Sequence, residues 1–189
     1  NVEAARPYAD KVLETVSALA KRAEALGEAP HPLLAQKPEQ KRIEIIVMTS
    51  DRGLCGAFNS NTVRRAQRFH YDHKDTHELS VSTIGRKGAE ALRRDRLEIR
   101  SNYEGVFEAL SFQTASEIAQ EMCQFYIDGE LDGVYLIYNE FKSVVTQKLT
   151  VMEMLPVVPL EVEDELVDYE YEPDRDELLD GLLPQHFAT

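Results

Sequence analysis

No stretch of the chain approaches the roughly 18 consecutive apolar residues that a transmembrane helix needs, so no span is expected. Cysteine is scarce: Cys55 and Cys123 stand far apart, with no CxxC pair and no Cys/His cluster at metal-ligand spacing. That excludes a zinc ribbon and a dithiol redox centre. Basic residues are also in deficit, 21 against 34 acidic ones, for a formal charge of −13. A nucleic-acid binder would show a basic face, and this balance argues against one. The deficit is local. Residues 161–180 hold eleven acids and one arginine, so most of the excess negative charge belongs to one segment and the rest is nearly balanced. Such a run is either a solvated loop or a surface for a partner. No secretory leader is visible, and the chain opens on Asn1 rather than Met, so any leader is expected upstream.

With 189 residues, 43% of them apolar, the chain can bury one full core and carry some extra elements. Residues 4–26 place Ala9, Val12, Leu13, Val16, Leu19, Ala20 and Ala23 at three- and four-residue steps, which predicts an amphipathic helix closed by Gly27. Its apolar stripe has no partner nearby in sequence. From Arg42 the pattern turns α/β. Ile43–Met48 reads as a strand buried on both faces. A helix follows from about residues 59–61, where Asn59, Ser60 and Asn61 are candidate caps. Strands are predicted at Leu79–Ile84 and Leu97–Arg100, with a short helix over GRKGAEALRRD between them. Ser111 is the expected cap of a helix carrying Ile118, Met122, Cys123 and Tyr126 inward, with Cys123 a core thiol and Gly129 its stop. The strands Gly133–Asn139 and Val144–Leu155 are separated by about four residues. A parallel crossover needs about a dozen, so this pair must be an antiparallel hairpin. The predicted fold is therefore α/β, a mostly parallel Rossmann-like sheet with an antiparallel hairpin strand, flanked by helices. Residues 1–27 form the first helix, 28–41 a linker, 42–160 the α/β domain, 161–175 the acidic segment and 176–189 a final helical run. In that last run Pro184 either interrupts the helix or opens a new one.

The apolar strand that empties into SDRGLCGAFN (Ser50–Asn59) raises the possibility of a phosphate cradle. The spacing does not fit. Gly53 and Gly56 are spaced GxxG rather than GxGxxG, no GxxxxGK follows, and Asp51 would repel a phosphate at the strand's end. A tight turn whose glycines allow positive φ or close packing is the simpler reading. Cys55 near a helix start could be an activated thiol, but no motif ties a histidine to it. His70, His73 and His77, in HYDHKDTH, suit the polar end of a helix. With no partner cysteine and no HExxH pattern, a polar surface is expected there rather than a metal site. Neither a catalytic residue nor a cofactor is predicted.

SDRGLCGAFN resembles the strand-loop motif of the gamma subunit of the rotary F-type ATP synthase. Other stretches resemble that family in order: ARPYADKV (Ala5–Val12), IGRKG (Ile84–Gly88), YNEFKSVVTQ (Tyr138–Gln147), LP (Leu155–Pro156) and YEPDRDELLDGLLP (Tyr171–Pro184). The resemblance implies a globular domain on a coiled coil of N- and C-terminal helices, at the base of a central stalk. It implies a rotor role with alpha, beta and epsilon subunits and a c-subunit membrane ring as partners. Nucleotide chemistry would then occur on beta, and no cofactor is expected on this chain. A peripheral position is implied, on the cytoplasmic face of a bacterial inner membrane or its organellar equivalent. Asp51, Arg52, Gly53, Leu54, Cys55, Gly56 and Asn59 are the loop residues that carry the resemblance. The stretch Asp168, Tyr169, Glu170, Tyr171 and Glu172 is the expected contact with epsilon or the ring, since tyrosine and concentrated charge suit an interface. Most of the family's first helix and nearly all of its last are expected to lie beyond the two ends. No cysteine-bearing insertion is visible, so thiol regulation is not expected.

Overall fold

The computed structural model describes residues 2–53, 57–106, 112–143, 146–161 and 175–188. The elements run α1 (Val2–Ala25), β1 (Arg42–Met48), α2 (Phe58–His73), β2 (Glu78–Ile84), α3 (Arg86–Arg94), β3 (Ile99–Tyr103), α4 (Phe112–Ile127), β4 (Gly133–Ser143), β5 (Thr146–Leu155) and α5 (Arg175–Ala188). Two compact units result. One comprises Asn1–Gln36, Phe112–Ile127 and Leu155–Thr189, and the other Lys37–Ser111 and Asp128–Met154.

The second unit holds the sheet, in strand order β3-β2-β1-β4-β5. β1 pairs in parallel with β2 on one side and β4 on the other, and β2 pairs in parallel with β3. The hairpin adds the antiparallel edge, as the short link between its strands requires. Strand side chains alternate in face. Ile43, Ile45, Val47 and Val81 therefore share one side, where Val63, Ala66 and Phe69 of α2 and Leu92 of α3 cover them. Each such side chain, fully buried, contributes about 1.5–3 kcal/mol.

The opposite face of β1 departs from the apolar expectation. Glu44 is fully buried there. Its carboxylate accepts hydrogen bonds from Ser80 Oγ and Ser82 Oγ on β2 and pairs with Arg100 Nε of β3 at 3.2 Å. Val81 opposes Ile99 and Ser82 opposes Ser101, so Arg100 is the extra residue of a β-bulge. A bulge re-aims the side chain it carries, and this one places a guanidinium beside a buried acid.

β3 begins two residues later than the sequence suggests, because Leu97 belongs to the end of α3. The Leu97 amide bonds the Leu92 carbonyl and the Arg96 amide bonds the Arg93 carbonyl, with Arg96 at φ 63°. This is a Schellman motif with arginine in the left-handed position usually held by glycine. The same motif closes α1, with Gly27 at φ 69° and the Glu28 amide on the Ala23 carbonyl. Replacing Arg96 by glycine is expected to stabilise the protein by about 1 kcal/mol, because it removes the Cβ penalty of left-handed backbone. Urea melts of the variant check this, and an unchanged or lower midpoint contradicts it.

In the other unit α5 packs on both α1 and α4. Val16, Leu19 and Ala23 of α1, Ile118, Met122 and Tyr126 of α4, and Leu179 and Leu183 of α5 are all buried. The part of the α1 stripe whose side chains are described is thus covered by elements far away in sequence. Pro184 lies inside α5, and the helix continues past it rather than breaking or restarting. Its missing N–H leaves the Asp180 carbonyl without its helical donor. Cys123 is buried in the core, as expected, and burial pushes its thiol up to about 12. Three elements converge on the turn at residues 31–35. His31 Nε2 bonds Asp180 Oδ1 at 2.8 Å, Tyr126 Oη donates to the Ala35 carbonyl, and the Val157 amide donates to the Leu33 carbonyl.

Candidate functional site

The loop after β1 is where a doubly wound sheet would bind a ligand, since it lies at the carboxyl end of the strand where strand order reverses. Thr49, Ser50, Asp51, Arg52, Gly53 and Asn59 are described, whereas Leu54, Cys55 and Gly56 lie outside the described residues, as do Ser111 and all of residues 168–172.

None of the three candidate caps does that work on α2. The helix starts at Phe58 with Ala57 as its N-cap and no side-chain cap. Asn59 instead reaches back to the strand end. Its Oδ1 accepts from the Ser50 amide at 3.0 Å, and its Nδ2 donates to Ser50 Oγ at 2.9 Å. Ser60 Oγ donates to the Ala57 carbonyl, and Asn61 Oδ1 accepts from Arg64 Nη2. Capping propensity was outweighed here by the need to brace the turn, which sequence alone does not reveal.

The strand end docks on the first turn of α3. Thr49 Oγ1 accepts from the Gly88 amide at 2.7 Å, the Ser50 carbonyl from the Lys87 amide at 3.2 Å, and Asp51 Oδ1 from the Arg86 amide at 2.9 Å. Free amides at a helix start are what would bind a phosphate. Here three successive ones are already satisfied by the loop, one of them by a carboxylate. At the switch point itself, Asn139 Nδ2 of β4 donates to the Phe58 carbonyl and to Thr62 Oγ1, both at 2.9 Å, tying β4 to the start of α2. Among the described residues, these bonds brace the strand end against α3 and the start of α2.

The glycines that this brace requires among the described residues are Gly85 and Gly88, not Gly53. Gly53 is exposed, lacks a positive φ, and a Cβ there would make ordinary contact with Lys87 Cε at 3.7 Å. The reading of Gly53 as a conformationally necessary residue is therefore corrected. Gly85 has φ 94°, and a Cβ on it would lie 2.0 Å from the Thr49 carbonyl oxygen. A Cβ on Gly88 would lie 2.8 Å from Thr49 Oγ1 and 3.1 Å from Thr49 Cγ2. The two glycines of IGRKG let α3 close on the end of β1.

Asp132, a residue the sequence reading passed over, makes a second polar junction. Its carboxylate accepts from the Lys41 amide at 3.1 Å, from the Arg42 amide at 2.9 Å, from Arg42 Nη2 at 3.1 Å and from Lys37 Nζ at 3.3 Å. Burial pushes this carboxyl up, but the hydrogen bonds from Arg42 and Lys37 outweigh it and hold it at about 2. The junction fixes the start of β4 to the start of β1, and no spacing motif announces it. Among the described residues, no cluster of three or more His, Cys, Asp or Glu side chains is arranged to hold a metal ion. No helix among them is long and apolar enough to cross a membrane.

The sequence model of a family described as ATP synthase matches residues 1–189. An ATP synthase gamma chain from Anaeromyxobacter sp. (strain Fw109-5) is 45% identical over 97% of this chain and 64% of its own length. One from Geobacter metallireducens is 46% identical over 100% of this chain and 65% of its own. The chain belongs to the ATP synthase gamma-chain family. It spans about two thirds of the length of these gamma chains, slightly less in each case. Among solved structures, it is similar to a chain of the Tetrahymena thermophila mitochondrial ATP synthase central stalk/c-ring. The TM-score is 0.58 at 20% identity, covering 98% of this chain and 88% of that one. A chain of the Euglena gracilis mitochondrial ATP synthase rotor gives 0.56 at 19%, covering 98% and 78%. At these identities the structural likeness speaks to the fold, while the gamma-chain relatives carry the assignment. The braced loop and the closely packed glycines are thus features of a gamma-chain α/β domain.

Proposed function

We propose that this gamma chain is a non-catalytic rotor subunit, carrying torque between a proton-driven membrane ring and a catalytic alpha/beta hexamer. The single observation that carries the reading is the gamma-chain likeness over nearly the whole chain. The geometry supports it from another direction. The amides that a nucleotide enzyme would present at the start of α3 are bonded to Thr49, Ser50 and Asp51. A domain that transmits torque needs a dense body that does not yield under shear, and a close-packed parallel sheet under helices supplies one. Its position is then peripheral to the membrane, at the foot of the stalk.

The reading is tested by co-purification of the subunit with alpha, beta, epsilon and ring subunits from membranes. Failure to recover them contradicts it. Calorimetry with ATP, NAD and inorganic phosphate addresses a nucleotide or phosphate site in the 50–61 loop. Saturable binding that Gly53→Ala abolishes would favour that site over a rotor role.

The acidic-aromatic stretch from Asp168 to Glu172 is the proposed contact with epsilon or the ring. Reversing charge at Asp168 and Glu170 is expected to weaken recovery of those partners, most at low salt, where the Debye length is longest. Equal recovery at every ionic strength would remove the stretch from the interface.

A further inference from the structure

We propose that His73 and His77 form a two-histidine site for a divalent transition-metal ion, of which Zn²⁺ and Ni²⁺ are suitable probes. The two residues are four apart, and the chain keeps helical hydrogen bonding between them. The Lys74 amide bonds the His70 carbonyl and the His77 amide bonds the His73 carbonyl at 2.9 Å. His77 lies just past the end of α2, and these bonds carry one more turn on to it, which brings residues four apart to one side; paired histidines at that spacing are a recurrent zinc-binding arrangement on helices.

A hydrogen bond fixes which nitrogen of the His73 ring is free. His73 Nδ1 is 2.8 Å from the Phe69 carbonyl oxygen, which can only accept, so Nδ1 carries the proton. His77 Nδ1 lies 2.7 Å from Thr76 Oγ1, which also lies 3.1 Å from the His73 carbonyl oxygen. That contact engages His77 Nδ1 and leaves Nε2 as the ring's other nitrogen. Each ring thus has its Nδ1 hydrogen-bonded to an oxygen, and Nε2 is the nitrogen that an ion would meet. That is the outer-shell arrangement that orients a metal-binding imidazole and raises its basicity.

The ring geometry agrees. His73 is stacked on Phe69 at 4.3 Å, which restrains its orientation, and its centroid lies 5.5 Å from that of His77 at an interplanar angle of 65°. With metal–nitrogen distances of about 2.0–2.1 Å, two imidazoles sharing an ion keep their centroids within about 6 Å. Both side chains are partly exposed, so an ion can reach them and retain water on its remaining positions. The local charge is favourable: Asp72, Asp75 and Glu78 flank the pair, while Lys74 is drawn over the Tyr71 ring at 4.8 Å. Imidazole nitrogen with water selects Zn²⁺, Ni²⁺ or Cu²⁺ over Mg²⁺ or Ca²⁺, which prefer oxygen ligands.

The test is titration calorimetry of the chain with Ni²⁺ and with Zn²⁺, each alone, with Mg²⁺ as the control. Saturable binding at one ion per chain is expected for Ni²⁺ and Zn²⁺, and none for Mg²⁺. His73→Gln and His77→Gln should each abolish it, while His70→Gln should leave it unchanged. His77 is half-exposed and outside the hydrophobic core, so His77→Gln tests the site without disturbing the fold, which circular dichroism verifies. Absence of saturable Ni²⁺ or Zn²⁺ binding, or its survival in either His73→Gln or His77→Gln, overturns the proposal. Loss of binding in His70→Gln would equally overturn the assignment to this pair.

Discussion

Replacing Gly85 by alanine is expected to prevent the sheet unit from reaching its native packing, with a loss above about 4 kcal/mol. Two independent costs fall on one residue. Its φ of 94° is a region that side chains rarely adopt, and a Cβ would sit 2.0 Å from the Thr49 carbonyl oxygen and 2.7 Å from the Thr49 carbonyl carbon. Both neighbours are backbone, so neither can swing aside. Gly88 makes the subtler case. In an ordinary helix interior, glycine to alanine stabilises by about 1 kcal/mol. Here the new methyl group meets Thr49 Oγ1 and Cγ2, buried and held by the Gly88 amide. The sign should reverse, to a loss of about 1–3 kcal/mol. Thr49→Ala removes both clashing atoms but also the hydroxyl that bonds the Gly88 amide, and should itself cost about 1 kcal/mol. Gly88→Ala should therefore cost far less in the Thr49→Ala background, a coupling that a double-mutant cycle reads directly. Gly53→Ala serves as the reference, within about 0.5 kcal/mol of the parent because its methyl group has room and its φ is ordinary. A Gly88→Ala protein more stable than the parent would refute the close-approach account.

The second large effect is expected at Asp132. Asp132→Asn replaces one carboxylate oxygen by an amide donor that faces the Lys41 and Arg42 amides, the Arg42 guanidinium and Lys37 Nζ, and should cost about 3 kcal/mol near neutral pH. The pH dependence has a definite sign. The folded carboxyl is held at about 2, below its ordinary 3.8. A depressed carboxyl stabilises the fold fully above its unfolded value, and that contribution is lost as pH falls through the folded one. The gap between parent and Asp132→Asn in urea denaturation should therefore be constant above about pH 5 and close between about pH 4 and pH 2. A gap that does not narrow over that interval would show that Asp132 acts through shape rather than charge.

These two sites also mark where sequence and structure part. The strand-helix alternation, the hairpin and the buried Cys123 follow from local periodicity and connection length, which the chain states openly. The gamma-chain resemblance rests on several ordered stretches, SDRGLCGAFN and IGRKG among them, and the family match covers them all. What those motifs do physically was hidden, because their reason lies in each other. Gly85 and Gly88 are small for the sake of Thr49, some 36 to 39 positions earlier, and Asn59 braces Ser50 instead of capping its own helix. Asp132 likewise answers to Lys37, Lys41 and Arg42 across about 90 positions. Periodicity reports on a residue's own element and is silent about contacts between elements.

Glu44 carries one more consequence, for how the strands find their alignment. In the native register it lies opposite Ser80, with Ser82 and the bulged Arg100 in reach. A slip of one residue between β1 and β2 would turn it toward the side lined by Val81 and Phe69, where no donor waits. A slip of two in one direction would set it against Glu78. Purely aliphatic parallel strands have little to distinguish one offset from another, whereas this acid disfavours offsets that take it away from Ser80, Ser82 and Arg100. The sheet centre thus carries a polar mark that disfavours these misaligned pairings.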